Sequence, residues 1–301
     1  MRRKTVYLLF VLVCLIFGTT FLAISLGLQA GASPLFYAAL RFTAAGAIML
    51  LAMLFAGRIP SANMVSLLFR SFLLSLFLTV GTFGCMFVAQ TRIDSGFMAR
   101  LDAGGPILTA FFAVLFLGKK LGVYHFVAFF LGMSGSFLIA SPVAGADPVY
   151  LVIAAASVVF YAAGNSLYPV IFRQEENTVL ISALQSFIGG IILMIIALFT
   201  EAVSFSPAAI IPFLYLVIGG SVVGHTATLV LVREAGPVFA SGWLFVSPVI
   251  ATVLGFFILR EQVSFAGIAG MVLALTGVFI LNHAEQIKQK KPVFSVDPGV
   301  L

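Results

Sequence analysis

The chain is 301 residues long, 62% hydrophobic and only 9% charged, with a mean hydropathy of +1.19. An ordinary soluble domain carries about 25% charged residues, so this composition excludes one. The net charge of +6 does not by itself point to nucleic acid, because in so apolar a chain the placement of the basic residues matters more than their sum.

Apolar runs of about 20 residues, each long enough to cross roughly 30 Å of hydrocarbon, recur from one end to the other. Read between Gly, Pro and charge, they predict ten spans at about 5–28, 34–56, 66–89, 95–117, 122–141, 148–171, 178–200, 208–230, 237–259 and 263–283. The opening MRRKTVYLLFVLVCLIFG imitates a secretory signal peptide. Its apolar run continues to about residue 28, which is too long, and it is read as an uncleaved first span. Cys14 and Cys85 both fall in apolar spans without Cys-x-x-Cys spacing, so neither a disulfide framework nor a zinc site is expected. No cofactor or metal is expected either.

Span four holds the costliest stretch, MARLDAGGP from Met98 to Pro106. A charge at the centre of a bilayer helix costs roughly 2.5–3.5 kcal/mol on insertion scales, so such ions face a cavity or a partner. Asp102 is the one carboxylate that the prediction places inside a span, with Arg100 two residues before it. Gly104, Gly105 and Pro106 interrupt the helical ladder, and the carbonyls they free persist in lipid only where protein or a water-filled cavity satisfies them. The stretch is read as lining a polar pathway. A buried structural ion pair beside an ordinary proline kink is the plainer alternative.

Ten spans put both termini on one side, and the basic residues say which. With the termini inside, the inner segments and, for Arg70, the inner end of span three hold Arg2, Arg3, Lys4, Arg58, Arg70, Lys119, Lys120, Arg173, Arg233, Lys288, Lys290 and Lys291, twelve of the 16 basic residues. The outer loops hold Arg92 and Arg260, and Arg41 and Arg100 lie within spans. This bias predicts cytoplasmic termini. The stretch from His283 onward reads as a solvated basic tether.

A weak internal repeat runs through the chain. A shift of 142 lays Phe97 on Phe239, Pro106 on Pro248, Leu117 on Leu259, Gly135 on Gly277 and Phe137 on Phe279. A shift of 144 lays Ala39 on Ala183, Arg41 on Gln185, Gly46 on Gly190 and Ile48 on Ile192. Five spans, an odd number, separate equivalent positions, so the halves are inverted relative to each other. Inverted repeats mark carriers whose site lies near mid-membrane where the halves meet. At 1.5 Å per residue, Pro106 and Pro248 each lie about 15 Å inside the membrane, and Arg41 and Asp102 each about 10 Å below the outer surface. A pairing of Arg41 with Asp102 is therefore sterically reasonable.

From about residue 6 to residue 284 the chain resembles the EamA-type transporters of the drug/metabolite transporter superfamily. The best match is ASGWLFVSPVIATVLGFFILREQVSFAGIAGMVLALTGVFILN, residues 240 to 282. Its elements are Ala240 and Ser241 at a helix start, Pro248 in mid-helix, Glu261 before a tight turn, and Gly267, Gly270 and Gly277 in the final helix. The stretch ARLDAGGPILTAFFAVLFLGKKLGVYHFVAFFLGMSGSFLIA repeats the pattern, with Lys119 in place of the turn Glu. Phe17-Gly18 stands where the family commonly has Trp-Gly, and Arg41 matches its frequent second-helix Arg.

The resemblance implies an all-α integral membrane fold, ten transmembrane helices in two inverted five-helix repeats. These would be residues 1–142 and 143–284, followed by a basic cytoplasmic tail, 285–301. It also implies that spans one to four and six to nine enclose the cavity. Small residues four apart, Ala128, Gly132 and Ser136 in span five and Ala266, Gly270 and Ala274 in span ten, permit close helix contact. That contact is intramolecular or the face of a homodimer.

The expected function is carriage of small organic metabolites by alternating access, with export of amino acids or related compounds across a bacterial inner membrane the leading form. Arg41 would bind a carboxylate. Asp102 would compensate Arg41 or accept a proton, and Arg100 would stand at the cavity mouth or snorkel. Phe17, Tyr161 and Trp243 would contact apolar parts, with Trp243 otherwise an interfacial residue. Gln185 enters as the repeat mate of Arg41. His225, placed near the inner end of span eight, is a proton-relay candidate or an ordinary interfacial histidine, and His125 is read as interfacial. Gly104, Gly105, Pro106 and Pro248 would be the flexible points. The partners expected are a small-molecule substrate and membrane lipid. Carriers of nucleotide sugars, sugar phosphates or cationic drugs are alternatives within the superfamily. A membrane enzyme on lipid-like substrates is the reading from another class, disfavoured because such enzymes usually cluster carboxylates or histidines around a metal.

Overall fold

The computed structural model describes residues 3–59, 63–139, 147–174, 176–254 and 264–288. Ten helical segments cross the bundle in alternating directions: α1 (Arg3–Gln29), α2 (Pro34–Phe55), α3 (Met64–Ala89), α4 (Ser95–Leu117), α5 (Val123–Ile139), α6 (Pro148–Ile171), α7 (Thr178–Thr200), α8 (Pro207–Ala235), α9 (Pro237–Leu254) and α10 (Phe265–Lys288). Among the described residues, nine helices are long and apolar enough to cross a membrane, and α5 is a shorter apolar helix. The predicted spans match these bounds closely where they fall on described residues; the predicted ends of spans five and nine, at 141 and 259, and the start of span ten, at 263, lie outside them. Two extend further than composition suggests: α8 runs to Ala235 and α10 to Lys288, so Glu285, assigned to the tail, lies in the last helix and is buried. Arg260, Glu261 and the chain from residue 289 lie outside the described residues.

Helix ends are set in some places by local chemistry and in others by distant chain. Asn177 accepts from the N–H groups of Val179 and Leu180 at 3.0 and 3.3 Å and caps α7 from within its own turn. The start of α2 lacks such a cap, and the Glu201 carboxylate takes the Leu35 and Phe36 N–H groups instead, at 2.9 and 3.1 Å. Ser33 tightens this far end, its hydroxyl donating to the Ala202 carbonyl at 2.8 Å and accepting from the Ser204 N–H at 2.7 Å. At the opposite end, where α1 begins, Arg70 grips Glu176 with two bonds of 2.9 and 2.6 Å. There Glu285 receives both Lys119 and, at 2.7 Å, His125 Nε2. His125 is thus a buried partner of a carboxylate rather than an interfacial ring, because α10 continues far enough to reach it.

Glycine seams hold equivalent helices together. A Cβ placed on Gly46 would lie 2.5 Å from Phe187 N, and one on Gly190 would lie 2.4 Å from Thr43 N, so α2 and α7 touch at backbone distance. The same holds for α5 and α10, where Gly135 faces Ala274 N at 2.4 Å and Gly277 faces Gly132 N at 2.7 Å. The small-residue stripes therefore meet each other inside the chain. On α10 the touching face is that of Gly270, Ala274 and Gly277, while Ala266 is exposed.

Among the described residues, four helices depart from a regular ladder. In α3 and α8 the turns widen to π-helix over Leu76–Gly84 and Leu216–His225, at similar places in the two halves. In α4 the helix stops at Asp102 and restarts at Gly105. Pro106 then sits in the first turn of the new piece, where its missing N–H costs nothing. In α9 the break falls between Ser241 and Trp243. The flexible point expected at Pro248 is not a break, since Pro248 lies inside the continuous piece Trp243–Leu254; the turn is made at Gly242, six residues earlier.

Candidate functional site

The breaks in α4 and α9 and the wide turns of α3 surround one small cavity. Its volume is about 20 Å³, room for about one water. Phe17, Thr20 and Phe21 line it from α1, Thr82, Phe83 and Met86 from α3, Asp102 from α4, Tyr161 from α6 and Trp243 from α9. Phe17 lies twelve residues from the far end of α1, about 18 Å deep, so the cavity is near mid-membrane. Four of the residues singled out from the sequence, Phe17, Asp102, Tyr161 and Trp243, are brought together here from four different helices.

Each wall has a local cause. Gly105 restarts α4 against Leu244, whose Cδ1 would lie 2.4 Å from any Cβ at that position. That contact draws the broken part of α4 onto the residue next to Trp243. The Trp243 ring rests 4.7 Å from Phe17, and its Nε1–H donates to the Tyr161 hydroxyl at 2.7 Å. Trp243 is therefore a cavity residue and not an interfacial one. Asp102 is 4% exposed, and its Oδ1 has no hydrogen-bond partner among the described residues. Buried carboxylate oxygens are normally satisfied, so one that faces a cavity without a partner marks a place for a donor.

Arg41 and Asp102 do not pair. The Arg41 guanidinium turns to the π-helical part of α8, where its Nε donates to Ser221 Oγ at 2.8 Å, and it lies over the Phe42 and Phe83 rings at 4.8 and 4.9 Å. Gly220 makes this possible, since a Cβ there would lie 2.7 Å from Arg41 Nη2. Phe83 touches the guanidinium on one side and lines the cavity with Asp102 on the other, which keeps the two charges apart. Arg41 Nη1 and Nη2 have no hydrogen-bond partner among the described residues.

The remaining candidates lie outside the cavity lining. His225 is ten residues from the terminal end of α8, about 15 Å deep, and so sits in mid-membrane rather than near the inner surface. Its ring is 6.1 and 6.0 Å from those of Phe42 and Phe83, beside Arg41, with Nε2 unpartnered. The displacement follows from the extra turns of α8. Gln185 accepts from the Thr79 hydroxyl at 2.8 Å and donates to Ser186 Oγ at 2.9 Å. Arg100 lies over the Phe97 ring at 4.8 Å, with Nε 3.4 Å from the Gly96 carbonyl. The sequence reading missed Phe21, Thr82, Phe83 and Met86. The one signal, for Thr82 and Phe83, is the pairing of hydroxyls with glycines in LTVGTFG of span three; Phe21 and Met86 had none.

Between α6 and α7, Glu176 closes the terminal end by pairing with Arg70, in the second turn of α3. Burial opposes ionisation of Glu176, but the Arg70 guanidinium and the Arg173 N–H outweigh it and hold the carboxyl below its ordinary range.

A multi-span helical bundle with a buried polar site at mid-membrane, built from both halves, is the architecture of a membrane carrier. The pattern of the EamA-like transporter family matches residues 4–141 and again residues 149–283, and the chain belongs to that family, within the drug/metabolite transporter superfamily. Protein PecM of Dickeya dadantii is 28% identical over 283 residues, which is 92% of each chain. The uncharacterized inner membrane transporter YedA of Escherichia coli is 26% identical over 286 residues, 93% of this chain and 91% of its own. A crystal structure of a protein only 19% identical aligns with a TM-score of 0.74, covering 94% of this chain and 99% of the other, and shows the shared fold.

Proposed function

We propose that this protein is a secondary carrier that exports small amino compounds, amino acids foremost, across the bacterial inner membrane by alternating access. The observation that carries the reading is the unpartnered carboxylate oxygen of Asp102 at a small, aromatic-walled cavity near mid-membrane. An ammonium group fits there twice over, as a donor to Asp102 and as a cation against the faces of Phe17, Phe21, Phe83 and Trp243. Arg41, one side-chain layer behind Thr20 and Phe83, is the charge that would meet a carboxylate once the cavity widens. The predominance of basic residues at the end where α1 begins supports placing that end in the cytoplasm.

The test is transport in proteoliposomes of radiolabelled amino acids, amines and carboxylates without an amino group. Amino-bearing solutes are expected to move, and Asp102→Asn to reduce their flux at least about tenfold, the worth of one charged hydrogen bond. Asp94→Asn, in the loop before α4, serves as the control. Transport of carboxylates lacking an amino group, undiminished in Asp102→Asn, would refute the reading. The same assay over a pH range decides whether Asp102 also carries a coupling proton.

A further inference from the structure

Two hydrogen bonds cross between the halves of the chain at equivalent places. Arg41 and Gln185 occupy matching positions in α2 and α7, a shift of 144, and Thr79 and Ser221 matching positions in the π-helical parts of α3 and α8, a shift of 142. Arg41 Nε donates to Ser221 Oγ at 2.8 Å, and Thr79 Oγ1 donates to Gln185 Oε1 at 2.8 Å. All four side chains are 0% exposed. Arg41 is seven residues into α2 from the far end, and Gln185 is seven residues into α7 from the terminal end. The Arg41 and Gln185 backbones therefore lie about 10 Å inside opposite ends of the bundle, while their partners Ser221 and Thr79 sit near the middle of α8 and α3.

We propose that these bonds are the two latches of the carrier, Arg41–Ser221 holding the far half closed and Gln185–Thr79 holding the terminal half closed. The proposal rests on the alternating-access reading above. The α2–α7 seam is in backbone contact at Gly46 and Gly190 and serves as the pivot. With that seam intact, the far half opens by parting α2 from α8, and the terminal half by parting α7 from α3. Either movement strips a buried hydroxyl of its partner until water enters, and leaving such a group unsatisfied is costly. Breaking one latch is tolerable in exchange for a hydrated vestibule; breaking both exposes two stripped pairs at once, which disfavours a leak.

The latches are chemically unequal. Arg41 donates as a cation, and charge-assisted bonds are roughly twice as strong as neutral ones such as Gln185–Thr79. The empty carrier accordingly rests with its far half closed and opens its terminal half more readily, the state that loads solute for export. Arg41, Ser221, Gln185 and Thr79 act here as positioning residues, since none of them lines the cavity.

The experiment uses the full chain with Cys14→Ala and Cys85→Ala, and with Met86→Cys as a single thiol in the cavity. A membrane-impermeant thiol reagent is applied to oriented vesicles from either face, and the ratio of the two labelling rates is read. Ser221→Ala is expected to raise labelling from the far side relative to the terminal side roughly five- to tenfold. Thr79→Val, which keeps the shape against Gly189, is expected to shift the ratio the other way about threefold, as is Gln185→Met. The Ser221→Ala/Thr79→Val double variant returns toward the starting ratio. If the thiol is labelled from both faces but the ratio is unmoved, or moves the same way in both variants, the latches are overturned while the carrier reading stands. Labelling from one face alone in every variant, or from neither, overturns alternating access and the latches with it.

Discussion

Gly46→Ala tests the pivot most directly. The added methyl would lie 2.5 Å from Phe187 N and 2.6 Å from its Cα, where carbon contacts normally rest near 3.5–4.0 Å. Neither atom belongs to a flexible side chain, so α2 and α7 must part by about 1 Å. Overpacking of this kind costs about 1–3 kcal/mol, and the gain from replacing a helical Gly by Ala returns about 0.5–1 kcal/mol. The net expectation is a loss of about 0.5–2 kcal/mol. Gly190→Ala strains the same gap from the other helix, with its methyl 2.4 Å from Thr43 N. Once the gap is open the second methyl meets less resistance, so the double variant falls short of the sum by about 0.5 kcal/mol or more. Gly96→Ala is the control, because nothing lies within 4 Å of a Cβ there. Denaturant unfolding in detergent, followed by the emission of Trp243, the chain's one tryptophan, measures all four. Stability of Gly46→Ala equal to the parent, or strict additivity with Gly190→Ala, would refute the seam as a rigid contact.

Two further expectations follow from single contacts. Tyr161→Phe leaves the buried Trp243 Nε1–H without its 2.7 Å acceptor and costs about 1–3 kcal/mol. Adding Trp243→Phe removes that orphaned donor, so circular-dichroism melts should show the double variant losing less than the two single losses combined; full additivity would contradict the bond. At the terminal end, Glu176 is held below its ordinary range by Arg70 and Arg173 against the opposing effect of burial. A carboxyl whose folded pKa lies below its unfolded value contributes stability above the unfolded value and loses it as pH falls through the folded one. The Tm difference between parent and Glu176→Gln is therefore expected at pH 7 and narrows as pH falls below the ordinary carboxylate value of about 4.3. A difference that persists unchanged to pH 3 would show that the pair contributes nothing through its charge.

The spans and the small-residue stripes were legible in the sequence, because a bilayer imposes a local rule: each crossing needs its own run of apolar residues, whatever its neighbours are. The cost of Asp102 and the helix-breaking Gly104-Gly105-Pro106 were legible for the same reason, since a charge or a freed carbonyl in hydrocarbon demands an explanation at that residue alone. Which residues meet was decided by tertiary structure. Arg41 and Asp102 lie at similar depth, but depth is one coordinate. The rotation of α2 toward α8, with Gly220 making room and Phe83 standing between, separates the two charges. Trp243, open between an interfacial and a cavity role in the sequence, was assigned to the cavity by the turn at Gly242 and its bond to Tyr161. The π-helical turns of α3 and α8, which aim Thr79 and Ser221 across the repeats, left no sequence signal beyond clustered glycines. Their wider hydrogen-bond ladder is held in place by packing from the opposite half of the chain.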